Sequence, residues 1–309
     1  MIDIALKHEI TAALAADVEA TTKTYPSRAK QADRLGINKG TLSVVLNKSW
    51  LGNSRLLSDK KWIEIANKIG FDLSSDWGVA ETDTFLILSS MFDFCKNHSA
   101  TAAFCDFAGI GKSFAANTYA DRHSHVYVLE GSKAEKKGNF IRSLATIVGV
   151  ANRGSLDFML EQSIKELKSN RMNKPLLIFD EAGDFSPGVY KLLKRLYNEL
   201  EDMCGMIFIG AEDFKINIQK GIRQQKNAFA EVWSRIGGKA SSAIDTDITK
   251  RVDFYKRQTL AICEANGVTG SEAIKILATV VVDEGRNKGV IGDMRRVKKE
   301  ILKLKYLKA

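Results

Sequence analysis

One stretch constrains this chain more than any other. An apolar run at residues 102–105 leads into Asp106-Phe107-Ala108-Gly109-Ile110-Gly111-Lys112-Ser113-Phe114, and helical spacing follows to Asp121. A strand that ends in a glycine loop and opens at once into a helix is the setting in which backbone N–H groups wrap a phosphate. Gly109 and Gly111 allow the main chain its close approach, Lys112 is placed to reach terminal phosphates, and Ser113 to ligate Mg²⁺. Residues 106–114 are therefore the candidate nucleotide loop. Asp106 stands where the usual signature has its first glycine. A carboxylate there weakens nucleotide binding unless it points outward.

A second stretch complements the first. Leu176-Leu177-Ile178-Phe179 reads as a buried strand that carries Asp180 and Glu181 to its end. Asp180 can hold Mg²⁺ through water, and Glu181 can orient and deprotonate an attacking water. Parallel strands place both ends on one crevice. Further apolar runs at 125–130 and 206–209 alternate with helical spacing at 112–121, 139–148, 156–168 and 189–202. This alternation predicts an α/β fold with a mostly parallel sheet covered on both faces. Three weaker positions accompany it. Ala211, at a strand end, cannot offer a polar group to a γ-phosphate, which leaves Glu212 as candidate. Arg235 follows an apolar helix and suits completion of a neighbouring subunit's site, and Arg295 opens the last helix where it can touch nucleotide.

After Ile244 the pattern predicts helices alone, at 248–266, 271–283 and 293–308, separated by Gly267, Gly270, Gly285 and Gly289. Residues 1–80 also read as helical: Ile2, Leu6, Ile10, Ala13 and Leu14 share a helix face. Ser27 caps a helix that Gly36 ends, and Asn38 caps a second one over residues 39–47. The pair matches a helix-turn-helix whose second helix presents Lys39, Thr41, Ser43 and Lys48. Either DNA contact or plain helical packing satisfies that pattern. Expected units are 1–79, 80–245 and 246–309.

Charge adds a pointer. Lys and Arg number 46 against 37 Asp and Glu, a formal +9. Nine basic residues fall between Gly285 and Ala309 against only Asp293 and Glu300, a basic end that suits nucleic acid or a solvated helix face. Only 3 of 309 residues are Pro, which argues against a linker-rich or disordered chain. The four cysteines lie far apart, without the spacing of a metal site or disulfide framework. No apolar run approaches the ~20 residues of a membrane span, and the first residues lack a signal-peptide layout, so the expected place is the cytoplasm.

Taken together, the phosphate loop, Asp180-Glu181-Ala182, Arg235 and Gly292-Asp293-Met294-Arg295 resemble the AAA+ ATPase family, with the terminal helices as its lid. The helix-turn-helix and the order of parts resemble one branch, that of phage Mu transposition protein B and its transposon relatives. The resemblance implies ATP and Mg²⁺ as ligands and DNA-stimulated hydrolysis in a bacterial host cell. It also implies ATP-dependent oligomers, helical filaments or rings, on double-stranded DNA that serve a DDE transposase. By position Lys112, Ser113, Asp180, Glu181, Arg235 and Arg295 are the implied functional residues. Relatives line a channel with basic residues after the second strand, and the matching stretch here holds Lys133, Lys136 and Lys137, with Lys168, Arg171 and Lys174 as a weaker cluster. Two other functions fit the same parts: a replication initiator or helicase loader, and a non-hydrolysing helix-turn-helix regulator, which Asp106 favours.

Overall fold

The computed structural model of the chain describes residues 4–52, 57–71, 77–244, 247–283 and 290–308. Ile2, residues 72–76 of the connector expected at 72–79, Gly285, Arg286, Lys288, Gly289 and Ala309 lie outside the described residues.

Helices α1 (Ile4–Ala20), α2 (Arg28–Leu35), α3 (Lys39–Leu46) and α4 (Asp59–Lys68) form an N-terminal helical unit. Local chemistry sets the ends of the central pair. The Ser27 hydroxyl accepts from the Lys30 N–H, Gly36 takes the left-handed φ of +62°, and Asn38 Oδ1 accepts from the Thr41 N–H at 2.6 Å. Ile10, Leu14, Leu35, Leu42, Val45, Trp50 and Trp62 close a small core of their own. Three contacts tie this unit to the central part of the chain. Tyr25 is buried in the main core and donates from its hydroxyl to the Ile147 carbonyl, Lys30 pairs with Glu166 at 2.5 Å, and the His125 N–H donates to Thr24 Oγ1 at 2.7 Å.

The central unit contains α5 (Asp83–His98), β1 (Thr101–Cys105), α6 (Lys112–Arg122), β2 (Val126–Glu130), α7 (Lys137–Ile147), α8 (Leu156–Ser169), β3 (Leu176–Asp180), α9 (Pro187–Leu200), β4 (Gly205–Gly210), α10 (Glu212–Arg223) and α11 (Phe229–Arg235). Its four strands are parallel in the order β1-β4-β3-β2. Successive side chains of a strand face opposite sides. So Leu177 and Phe179 of β3 enter the core under α7, α8 and α9, while Leu176 and Ile178 enter the core under α5 and α6. Burial on both faces explains why these strands read as unbroken apolar runs rather than alternating ones.

Beyond residue 247 come α12 (Ile248–Ala265), α13 (Gly270–Val280), β5 (Val282–Asp283), β6 (Val290–Ile291) and α14 (Met294–Lys308). The expectation of helices alone is corrected here, because β5 and β6 form a two-residue antiparallel pair. A pairing so short has no periodicity to read. These helices share a core with α5 and α6 through Phe254, Tyr255, Cys263, Val297 and Ile301. Gly292 permits the approach, since a Cβ there would sit 2.2 Å from the Tyr255 ring.

Candidate nucleotide site

The loop between β1 and α6 and the end of β3 lie on strands separated only by β4. A cavity of about 300 Å³ opens there. Ala108, Gly109, Ile110, Gly111, Lys112, Ser113 and Phe114 line one side, Asp180 and Glu181 another, and Gly210 and Ala211 the strand end between them. Arg295, in the first turn of α14, also lines it. The structure thus brings together most of the residues singled out from sequence for nucleotide binding.

The two loop glycines are required by conformation. Gly109 and Gly111 have φ of +77° and +96°, a region costly for any residue with a Cβ. Lys112 Nζ donates to the carbonyls of Asp106 and Phe107 at 2.7 and 2.6 Å, which folds the lysine along the loop. Burial pushes the Lys112 ammonium below its ordinary pKa, against the pull of Asp106 and Asp180. Burial likewise pushes Asp180 above the ordinary carboxylate value, although bonds from Ser113 and the Glu181 N–H act the other way. Each charge is expensive alone. A polyanion beside Lys112 and a cation beside Asp180 would relieve both, so these residues fit a magnesium–phosphate ligand. Ser113 Oγ and the Asp180 carboxylate would hold the Mg²⁺, whose chemistry when bound is to neutralise charge on the phosphates. Among the described residues no cluster of three His, Cys, Asp or Glu could hold a metal. Mg²⁺ needs none, because it is commonly held by one or two protein oxygens together with water and phosphates.

Glu181 has φ of +52°, a left-handed conformation that costs a non-glycine residue on the order of 1–3 kcal/mol. Its N–H donates to Asp180 Oδ1 at 3.0 Å, and its exposed side chain reaches the cavity wall. Gly131 packs against this turn so closely that a Cβ would lie 2.1 Å from the Glu181 carbonyl oxygen.

Two residues of the expected loop need correction. Asp106 is 3% exposed and does not line the cavity. Its Oδ2 accepts from Ser242 Oγ and from the N–H groups of Ala243 and Ile244 at 2.8, 2.7 and 3.0 Å, and its Oδ1 accepts from the Phe107 N–H. The carboxylate therefore stays out of the cavity and clamps residues 242–244 beside β1. The Phe107 side chain also lies outside the cavity, with the Arg251 guanidinium 5.2 Å from its ring. Sequence offered no sign of this clamp, because its partners lie more than 130 residues away.

Arg235 stands apart. Its guanidinium lies 4.0 Å from the Tyr197 ring and donates to Asn198 Oδ1 and the Lys194 carbonyl, outside the cavity. Glu212 opens α10 and does not line it either. Of the candidate DNA contacts, Lys39 borders a groove of about 520 Å³ between the α2–α3 turn and residues 146–153, while Thr41 and Ser43 are half-buried. Lys133 pairs with Glu130, and Lys136 and Lys137 are exposed at the start of α7. In the weaker cluster, Lys168 pairs with Glu199.

The far end of the cavity was not legible from sequence. Trp77, Ala80 and Thr82 come from the segment leading into α5, Phe85 from its first turn, and Gln258, Ile262, Met294 and Lys298 from α12 and α14. Asn266 holds the two sides together: its amide bonds to both the N–H and the carbonyl of Gly78 at 2.9 and 3.3 Å.

The chain is similar to known proteins over much of its length. Residues 100–215 match a family described as AAA domain. Over 268 residues the chain is 25% identical to the Mu-like prophage FluMu DNA transposition protein B of Haemophilus influenzae, covering 84% of this chain and 87% of that protein. Among solved structures it matches the Aeropyrum pernix Orc1 protein in complex with DNA at a TM-score of 0.47 and 16% identity, over 73% of this chain and 59% of that one. The chain thus spans about three fifths of the Orc1 chain's length.

The chain has an α/β fold of the AAA+ kind, and the match to an AAA domain covers residues 100–215 of it. Within that class the chain resembles the Mu-type DNA transposition protein B. Among the described residues no helix is long and apolar enough to cross a membrane.

Proposed function

We propose that this chain is an ATPase that binds ATP with Mg²⁺, oligomerises on double-stranded DNA and serves a DDE transposase. The observation that carries the reading is the convergence of Lys112, Ser113, Asp180, Glu181 and Arg295 on one cavity. Lys112 and the loop N–H groups hold the phosphates, Glu181 orients the attacking water, and Arg295 reports the nucleotide to the lid. Arg235, outside its own chain's cavity, reaches into a neighbour's site in a filament or ring. The transposase partner rests on the transposition protein B named above, 25% identical to this chain.

Residues 1–79, 80–245 and 246–309 act in this reading as DNA-reading unit, ATPase core and lid. Lys39, Thr41 and Ser43 contact DNA from the first, and Lys133, Lys136 and Lys137 contact phosphates from the second, without sequence preference and with strong salt dependence. The alternative of a non-hydrolysing regulator leans on Asp106, whose carboxylate is bonded to Ala243 and Ile244 rather than lining the cavity.

The test is ATP turnover with and without random-sequence duplex DNA, alongside sedimentation of the DNA-bound protein. DNA should stimulate turnover, and Glu181→Gln should retain ATP and stabilise long assemblies on DNA. Protein that stays monomeric on DNA with ATP would contradict the transposition reading.

A further inference from the structure

The Arg235 guanidinium is held by neutral groups. Its Nη1 donates to the Lys194 carbonyl at 3.4 Å, its Nη2 donates to Asn198 Oδ1 at 2.5 Å, and its central carbon lies 4.0 Å from the centre of the Tyr197 ring. Nearby cations are held differently: Lys194 pairs with Glu231, Arg195 with Glu161 and Lys168 with Glu199. Among the described residues Arg235 has no such carboxylate partner. Two of the five N–H donors of a guanidinium are used here, and the rest stay open to an acceptor. The mount beneath is closely packed. Tyr190 of α9 stacks on Phe229 of α11 with ring centres 3.9 Å apart, and a Cβ on Gly221 of α10 would lie 2.2 Å from the Phe229 ring. The Lys194–Glu231 pair ties α9 to α11 again, and the Tyr197 hydroxyl donates to Glu201 at 3.3 Å.

We infer that Tyr197 and Asn198 are positioning residues that hold Arg235 as a ready fork for an oxyanion from outside its own chain, the terminal phosphate of ATP bound by a second copy. The inference rests on the role proposed above for Arg235 and adds the groups that set its geometry. A free arginine loses much rotamer freedom when it engages a phosphate, and a side chain fixed beforehand has already lost it. A carboxylate would fix the guanidinium equally well but would cancel its charge. An aromatic face and a neutral amide fix it and leave the charge for the phosphate.

The experiment measures ATP turnover of the full chain assembled on random-sequence duplex DNA, with sedimentation of the DNA-bound protein in parallel. Arg235→Ala should lower kcat by at least about tenfold. Tyr197→Leu should lower it by about three- to thirtyfold, the span of one cation–π contact, with KM for ATP and the sedimented fraction held to within about twofold. Tyr197→Phe keeps the ring and should stay within about twofold of the wild type. Asn198→Leu should lower kcat by at least about threefold and serves if Tyr197→Leu folds poorly. Adding Glu181→Gln subunits, whose Tyr197 and Asn198 are intact, should raise turnover per Tyr197→Leu subunit, a rescue that a local folding defect would not give. With Arg235→Ala impaired, an undiminished kcat in both Tyr197→Leu and Asn198→Leu, or a loss that tracks loss of assembly, would overturn the positioning role alone. Undiminished turnover by Arg235→Ala would overturn the reading of Arg235 and this inference together.

Discussion

The Met294 N–H donates to the Gly109 carbonyl at 2.8 Å, so the first turn of the last helix is bonded directly to the phosphate loop. Asp293 stands beside the same glycine and accepts from the Arg295 N–H at 2.8 Å. The loop and the last helix are joined at this point. That contact places Arg295 at the cavity.

Gly109→Ala should break this junction. Its Cβ would fall 2.4 Å from Asp293 Oδ1, on a backbone with φ of +77°. Nucleotide affinity should drop at least tenfold. The double variant with Asp293→Ala should recover stability only in part, because the left-handed strain of about 1–2 kcal/mol remains. Nucleotide titration and thermal melting of the two variants check this.

Asp106→Gly restores the glycine usual at that position, yet it should harm the protein. The main-chain N–H groups of Phe107, Ala243 and Ile244 would lose their acceptor, and the Ser242 hydroxyl would lose one of its two. Each unsatisfied group costs about 1–3 kcal/mol if it stays buried, so a loss of at least about 2 kcal/mol in urea unfolding is expected. No gain in nucleotide affinity should accompany it.

Asp180 links pH to stability with a definite sign. Its folded pKa lies above the ordinary 3.8 because of burial, so the folded chain holds the proton longer than the unfolded one. Its contribution to stability therefore falls as pH rises from near 3.8 through the folded value, and the ionised group is a burden at neutral pH. Asp180→Asn should make the ligand-free protein more stable at pH 7 and flatten this part of the pH profile. It should also abolish the gain in nucleotide affinity that Mg²⁺ brings. Denaturant midpoints across pH, with and without Mg²⁺ and nucleotide, read both effects.

Tyr25 joins the N-terminal helices to the core, edge-on to Tyr127 with ring centres 6.3 Å apart. Tyr25→Ala should cost about 3–5 kcal/mol, the range for large aromatic truncations. Tyr25→Phe removes only the bond to the Ile147 carbonyl and should cost about 1 kcal/mol. Limited proteolysis should show faster cleavage near residues 21–27 in the alanine variant alone.

The parallel sheet was legible because doubly buried strands leave unbroken apolar runs, and the phosphate loop because its glycines and lysine are forced by backbone geometry. Helix caps at Ser27 and Asn38 were legible for a similar reason: the bond that caps the helix spans three residues. Contacts that span the chain left no local trace. Asp106 reads as a flaw in the phosphate loop until residues 242–244 are placed against it. Gln258 is one of several polar residues on the 18-residue α12, and nothing in their spacing marks it as lining the cavity with Trp77 and Phe85. Trp77 lies just before the boundary expected between units 1–79 and 80–245, where composition gives no sign that it lines a cavity.

The most direct measurement is calorimetric titration of the full chain with ATP and Mg²⁺, repeated on Lys112→Ala. A single site per chain that depends on Mg²⁺ and vanishes in the variant is the expected result. Absence of uptake by the wild type, or unchanged uptake by Lys112→Ala in a folded protein, would contradict the assignment of this cavity.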